Sequence, residues 1–157
     1  YVLEGSRTIL EHSGLHLKWW SRDVRHFCFM HNVSQRGADG KTPWEKRFGG
    51  PFGGPLLPFG SAVEYLPLEK ANDKDKKFGT ASVPGILIGY HMNPGGTWPK
   101  DFYVLDQTAM DENKDGRYIR PQRVGKLTSI GDVPVFPWSG RDTTPHVQCL
   151  MKKAATR

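Results

Sequence analysis

Apolar and polar positions follow two different periods along this chain. Val2, Ser6, Ile9 and Leu10 recur at helical spacing, and Gly14 is placed to stop the turn. Leu17 to about Asn32 predicts a second helix, with Trp20, Val24, Phe27, Cys28 and His31 on one stripe and Lys18, Arg22 and Arg25 mostly off it. On that stripe Cys28 reads as a small buried hydrophobe. A third, short helix is spelled out between Thr42 and Gly49. Thr42 caps it, Pro43 suits its first turn, Glu45 closes a capping box and Gly49 ends it.

From Phe59 onward the period drops to two. Phe59, Ser61, Val63 and Tyr65 alternate with Gly60, Ala62, Glu64 and Leu66, the pattern of a strand. Pro84 to Tyr90 is an apolar run of buried-strand length, and Phe102 to Asp106 predicts a third strand. Residues 70–77 read as a polar loop, and Asp115-Gly116 as a tight turn into a strand at Arg117 to Arg120. Val133 to Trp138 is at most an edge strand, because Pro134 and Pro137 cannot donate to a ladder. No packed element is expected after Gly140.

The two regimes meet at Gly49-Gly-Pro-Phe-Gly-Gly-Pro55, where glycine and proline forbid a regular element. The expected division is a helical segment 1–49, a Gly/Pro linker 50–58, a β-module 59–138 and an irregular basic tail 139–157. The fold class is α+β: an N-terminal arm of two to three helices, then a small, mostly antiparallel β-barrel of Src-homology-3 type.

Composition narrows the function classes. A chain of 157 residues can hold a core, but 37% hydrophobic residues with 18 Gly and 12 Pro predict a modest one with much loop. The net charge of +6 is concentrated in residues 107–157, which carry nine basic and five acidic groups. That balance points to an acidic partner, nucleic acid foremost, with a solvated basic face as the alternative. Cys28 and Cys149 are far apart and in no ligand spacing, so a reduced compartment is the default. No apolar run approaches the roughly 20 residues of a transmembrane helix. The start at Tyr1 reads as a piece of a longer protein.

Candidate chemistry is sparse. Arg117, Arg120, Arg123 and Lys126 recur every three residues, and a polyproline-like path would align them along one edge to track phosphates. Tyr118, Trp98 or Trp138 would supply stacking surfaces. The alternative is a solubilising edge that blocks strand-to-strand aggregation. Asp111 to Gly116 matches the opening of a calcium loop, yet its twelfth position is Gln122, so a hairpin turn is preferred. The six histidines form no ligand spacing, and no Cys–His–Asp relay is apparent. Trp19, Trp20 and Trp44 belong to the helical part, as core or as a face for a partner.

A series of ordered blocks carries a family resemblance. Tyr1 to Arg7 with Gly14-Leu-His-Leu-Lys-Trp-Trp20 resembles a long helix followed by a G-L-P-x-x-[FW]-W turn, and Val24 to Asn32 resembles an A-V-x-T-A-x-Y-x-x-N helix. Gly40 to Gly49 is similar to N-G-K-T-P-Y-E-L-W-x-G. Phe59-Gly60, Gly85 to Tyr90 and Tyr103 to Asp106 resemble F-G, G-x-x-[LV]-G-Y and Y-[RK]-[VL]-[YW]-D strands. The order and spacing resemble copia-type retroelement integrases over about residues 1–124: the end of an RNase H-like catalytic core and the small β-domain after it. The insert at 49–58 and the tail from about Ser129 depart from the pattern.

The resemblance implies a role in DNA integration, with nuclear or cytoplasmic residence. It also implies that the chemistry is missing. The family's two divalent metals are held by three carboxylates, and all three positions fall before Tyr1. Glu4 and Glu11 stand on the matching helix at the wrong positions. Hence no catalytic residue, no metal ligand and no cofactor is expected in this chain. Two readings stay open: a nucleic-acid-holding or assembly module, and a reused fragment docked as an accessory subunit in a larger protein assembly, in an organelle for instance.

Overall fold

The computed structural model describes residues 1–67, 82–113 and 119–140. Helix α1 spans Val2–Ser13 and ends at Gly14, whose φ of 69° is the left-handed conformation the sequence anticipated. A single 3-10 turn, Leu17–Trp19, leads into α2, Trp20–Ser34. Helix α3, Pro43–Phe48, carries the full capping box: Thr42 accepts from the Glu45 amide, and Glu45 accepts from the Thr42 amide, both at 3.1 Å. Thr42 is buried, so water cannot replace its hydroxyl. Thr42→Ala should cost about 1 kcal/mol in chemical denaturation, while Thr42→Ser should cost far less.

Five strands follow: β1 Ala62–Tyr65, β2 Val83–Tyr90, β3 Phe102–Asp106, β4 Gln122–Val124 and β5 Leu127–Ser129. Helix α4, Gln107–Glu112, lies between β3 and β4, capped by the Asp106 carboxylate accepting from the Ala109 amide. All pairings are antiparallel, in the order β4-β3-β2-β1-β5. Of the strand expected at 117–120, residues 117 and 118 lie outside the described residues and Ile119 and Arg120 are not in a strand; a ladder forms at Gln122–Val124. Residues 133–138 form no strand, but Val135 accepts one backbone hydrogen bond from Ala62. The polar loop at 70–77, the Asp115-Gly116 turn and everything after residue 140 also lie outside the described residues.

The topology forces the sheet to roll. β4 and β5 are its opposite edges, yet only Gly125 and Lys126 separate them in sequence. Three residue steps reach at most about 11 Å. The edges of a flat five-stranded sheet stand about 19 Å apart, at about 4.8 Å per strand. Val124 and Leu127, one from each edge, accordingly pack into the same hydrophobic cluster. A bulge between Leu87 and Gly89, with Gly89 at φ 146°, bends β2. The edges do not pair with each other among the described residues, so the sheet is curled and open.

Helices and sheet share both cores. One face joins Leu10, Leu15 and Trp19 to Ile86, Ile88, Leu105 and Trp138. The other joins Phe29 and Val33 to Val63, Tyr65, Leu87 and Val104. Each core thus draws residues from both sides of the Gly/Pro stretch 50–58.

The buried face of α2 differs from the apolar stripe read from sequence. Asp23, His26, Phe29 and Val33 are buried, whereas Trp20 is 57% exposed and Cys28 is exposed. Phe27 lies against α1, where a side chain on Gly5 would meet its ring. The stripe went wrong because two titratable residues occupy core positions that apolar letters usually hold.

Candidate nucleic-acid interface

The structure separates the basic residues expected to form one ladder. Arg117 and Tyr118 lie outside the described residues. Arg120 is exposed and borders a hollow that Asp106 and Glu112 also line. Arg123 sits on β4 opposite Tyr103 and closes onto Asp101, its Nε 2.6 Å and its Nη2 2.5 Å from Oδ2. Its charge is therefore spent within the fold. Residues 122–124 are a strand and not a polyproline-like path, because Phe102 to Val104 offers them a ladder partner.

Lys126 is brought to a second place. A hollow of about 690 Å³ opens between Gly53–Pro55 and the β4–β5 turn. Buried Tyr65 and Phe102 lie beneath it, Trp98 borders it, and exposed Lys100 and Lys126 stand at its rim. Neither lysine has an ion-pair partner among the described residues. Glu64 also lines the hollow and accepts from the Ser82 hydroxyl at 3.1 Å. Lys100 has φ 71°, a left-handed conformation that costs a side-chain-bearing residue of order 1 kcal/mol or more. The turn holds it there: the Trp98 indole N–H and the His91 amide both donate to the Asp101 carbonyl, at 2.9 and 3.0 Å.

Trp98 is half-buried against Phe52 and Phe102, with ring centroids at 4.9 and 5.3 Å. Tyr65 donates to Asp106 at 3.2 Å, and burial together with that carboxylate pushes its phenol pKa up. Both are supports of the hollow more than open platforms. Trp19 is buried in the core, Trp20 is exposed, and Trp44 half-covers Phe29 and Phe52.

A second basic surface was overlooked in the sequence, although its signal was present. Lys18 in the 3-10 turn is followed four and seven residues later by Arg22 and Arg25 on α2. The Arg22 guanidinium lies 4.2 Å from the Tyr103 ring centroid, and the Tyr103 hydroxyl is 2.7 Å from His91 Nδ1. Lys18 lies 4.5 Å over Trp19, and burial lowers its pKa.

Two ionisable groups are sealed inside. Asp23 and His26 are 1% and 3% exposed, and burial alone raises Asp23 to about 7 and lowers His26 to about 4. Asp23 Oδ1, His26 Nδ1 and Ser6 Oγ are buried without hydrogen-bond partners among the described residues. Serine, histidine and aspartate are the residue types of a nucleophilic relay. Here no hydrogen bond links them and solvent cannot reach them, so they cannot work as one. Among the described residues no group of three or more His, Cys, Asp or Glu is placed to hold a metal ion. No helix there is long and apolar enough to cross a membrane.

Comparison with protein-family models, curated proteins and solved structures returns no match to this chain.

Proposed function

We propose that this chain is a nucleic-acid-holding module of a copia-like integrase, gripping DNA through its phosphates while chemistry belongs to residues outside it. The observation that carries the reading is the pair of unpaired lysines, Lys100 and Lys126, at the rim of one hollow, the first held there at the expense of backbone strain. The ordered sequence blocks agree with it. So does the strand order: an antiparallel run with β5 returning beside β1 suits a partly open barrel of Src-homology-3 type.

The chemistry is point-charge contact. Lysine ammonium groups neutralise phosphates without reading bases, so binding would be weakly dependent on sequence and strongly dependent on salt. Lys100→Gln combined with Lys126→Gln should weaken duplex binding in a filter assay and flatten its salt dependence by about two phosphate contacts. An unchanged slope in the folded double variant would place the contacts elsewhere, Lys18 with Arg22 and Arg25 of α2 being the next to substitute.

The accessory-subunit reading has one specific support. Tyr1, Leu3 and Trp20 are 77%, 68% and 57% exposed. Purification under native conditions decides between the two, because recovery only as a free monomer argues against docking.

A further inference from the structure

The Gly/Pro stretch is seated in the fold as a ligand would be. Residues 50–57 make no backbone–backbone hydrogen bond among the described residues. Their hydrogen bonds run to one side chain: the Tyr90 hydroxyl donates to the Pro55 carbonyl at 2.7 Å and accepts from the Leu57 amide at 2.8 Å. Phe52 enters an aromatic cradle, its ring centroid 4.9 Å from Trp98, 5.2 Å from Trp44 and 5.2 Å from Phe29. Gly54 lies so close to Trp98 that a Cβ would come within 2.3 Å of the indole. Leu57 is half-buried in the same cluster, while Leu56 is 50% exposed.

The sequence of the seated piece is informative. Pro55-Leu-Leu-Pro58 is a P-x-x-P element, and each proline biases the residue before it toward an extended backbone. Aromatic side chains lining a groove, with a tyrosine hydroxyl on a ligand carbonyl, are the chemistry by which proteins hold polyproline-type peptides. Left-handed glycines bracket the stretch, Gly49 at φ 79° and Gly60 at φ 80°. Such residues absorb large backbone changes at little steric cost.

We infer that the cradle of Trp44, Tyr90 and Trp98 is a peptide-binding groove for partner segments of the form aromatic-Gly-Gly-Pro-x-x-Pro, and that residues 50–58 occupy it in cis as a displaceable strap. Gly53 to Pro55 and Trp98 also wall the hollow that holds Lys100 and Lys126, so displacing the strap would reshape that hollow. The peptide test below uses no nucleic acid, and its failure leaves phosphate contact untouched. A strap of this kind lowers apparent affinity for a competing peptide by the fraction of time the groove is open. If that fraction is about 3%, freeing the strap raises affinity about 30-fold.

The test uses a fluorescein-labelled nonapeptide with the sequence of residues 50–58, read by fluorescence anisotropy. Two variants free the strap by different means. Phe52→Ser with Leu57→Ser removes its apolar anchors, and Gly54→Val drives it off the indole. Either folded variant should bind the peptide at least 10-fold more tightly than the native chain. Adding Tyr90→Phe should remove most of that gain, and so should replacing the peptide prolines that correspond to Pro55 and Pro58 by alanine. Equal binding by native and freed chains would overturn the inference. Failure of both variants to fold, seen by near-ultraviolet circular dichroism, would overturn it as well, because the stretch would then be core. Native chains that pair in sedimentation and lose the pairing on adding peptide would make the occupant a second copy, which contradicts the partner-segment assignment.

Discussion

Asp23→Asn should stabilise this protein at pH 8 by about 2–4 kcal/mol, a gain of order 8 °C in melting temperature. The Asp23 carboxyl is 1% exposed, Oδ1 has no hydrogen-bond partner among the described residues, and its pKa stands at about 7. In the unfolded chain the group ionises near pH 4. Between those values the unfolded state has released a proton that the folded state keeps. The Asp23 contribution is therefore most favourable below about pH 4, falls as pH rises through this window, and is fully lost above pH 7.

His26 slopes the other way. It is depressed to about 4 when folded and titrates near 6.5 when unfolded. Its contribution is intact above pH 6.5 and is lost as pH falls toward 4. In the native chain the two slopes oppose each other between about pH 4 and 6.5. Asp23→Asn should unmask the histidine slope, so the variant becomes less stable on acidification across this range. Denaturant midpoints at pH 4, 6 and 8 measure it. A gain that is the same at pH 4 and pH 8, or no gain at pH 8, would contradict the burial of an uncompensated carboxylate.

Gly14→Ala should destabilise by about 3 kcal/mol or more. Gly14 has φ 69°, and a Cβ there would lie 1.9 Å from the Trp138 carbonyl oxygen. Left-handed strain accounts for about 1 kcal/mol. The remainder comes from forcing residues 136–140 off the end of α1, where Phe136 meets His12 edge-on at 4.5 Å and Trp138 fills the helix-side core. Urea midpoints of the variant, with tryptophan fluorescence as probe, should shift accordingly. A change below about 0.5 kcal/mol, the size of an ordinary surface substitution, would mean that this segment does not close on the helix.

What could be read from the letters alone follows from how local each cause is. The capping box at Thr42 and Glu45 and the left-handed stops at Gly14 and Gly49 depend on neighbours in sequence, and each appears as read. The run expected to alternate from Phe59, by contrast, becomes a strand only at Ala62–Tyr65 and is buried throughout from Phe59 to Val63. Strand β5 escaped notice because three residues become a strand only by pairing with β1. Helix α4 escaped because Met110 is its only buried residue and Asp106 caps it from within the preceding strand. The buried face of α2 was misread because Asp23 and His26 stand where apolar letters were sought.

The candidate interface follows the same rule. Lys126 stands out by its three-residue spacing from Arg123, but Lys100 acquires its place only from the turn that fixes φ at 71°. Arg123 looked available in the sequence, and Asp101 claims it across the ladder. Spacing along a chain lists charges, and the three-dimensional pairing decides which of them stay free.

Duplex affinity measured against salt tests the central claim most directly. Contact with two phosphates, through Lys100 and Lys126, predicts roughly a 12-fold loss of affinity between 50 and 200 mM salt. Affinity that holds constant across that range, or no binding at 50 mM, would contradict a chain built to grip nucleic acid by its backbone.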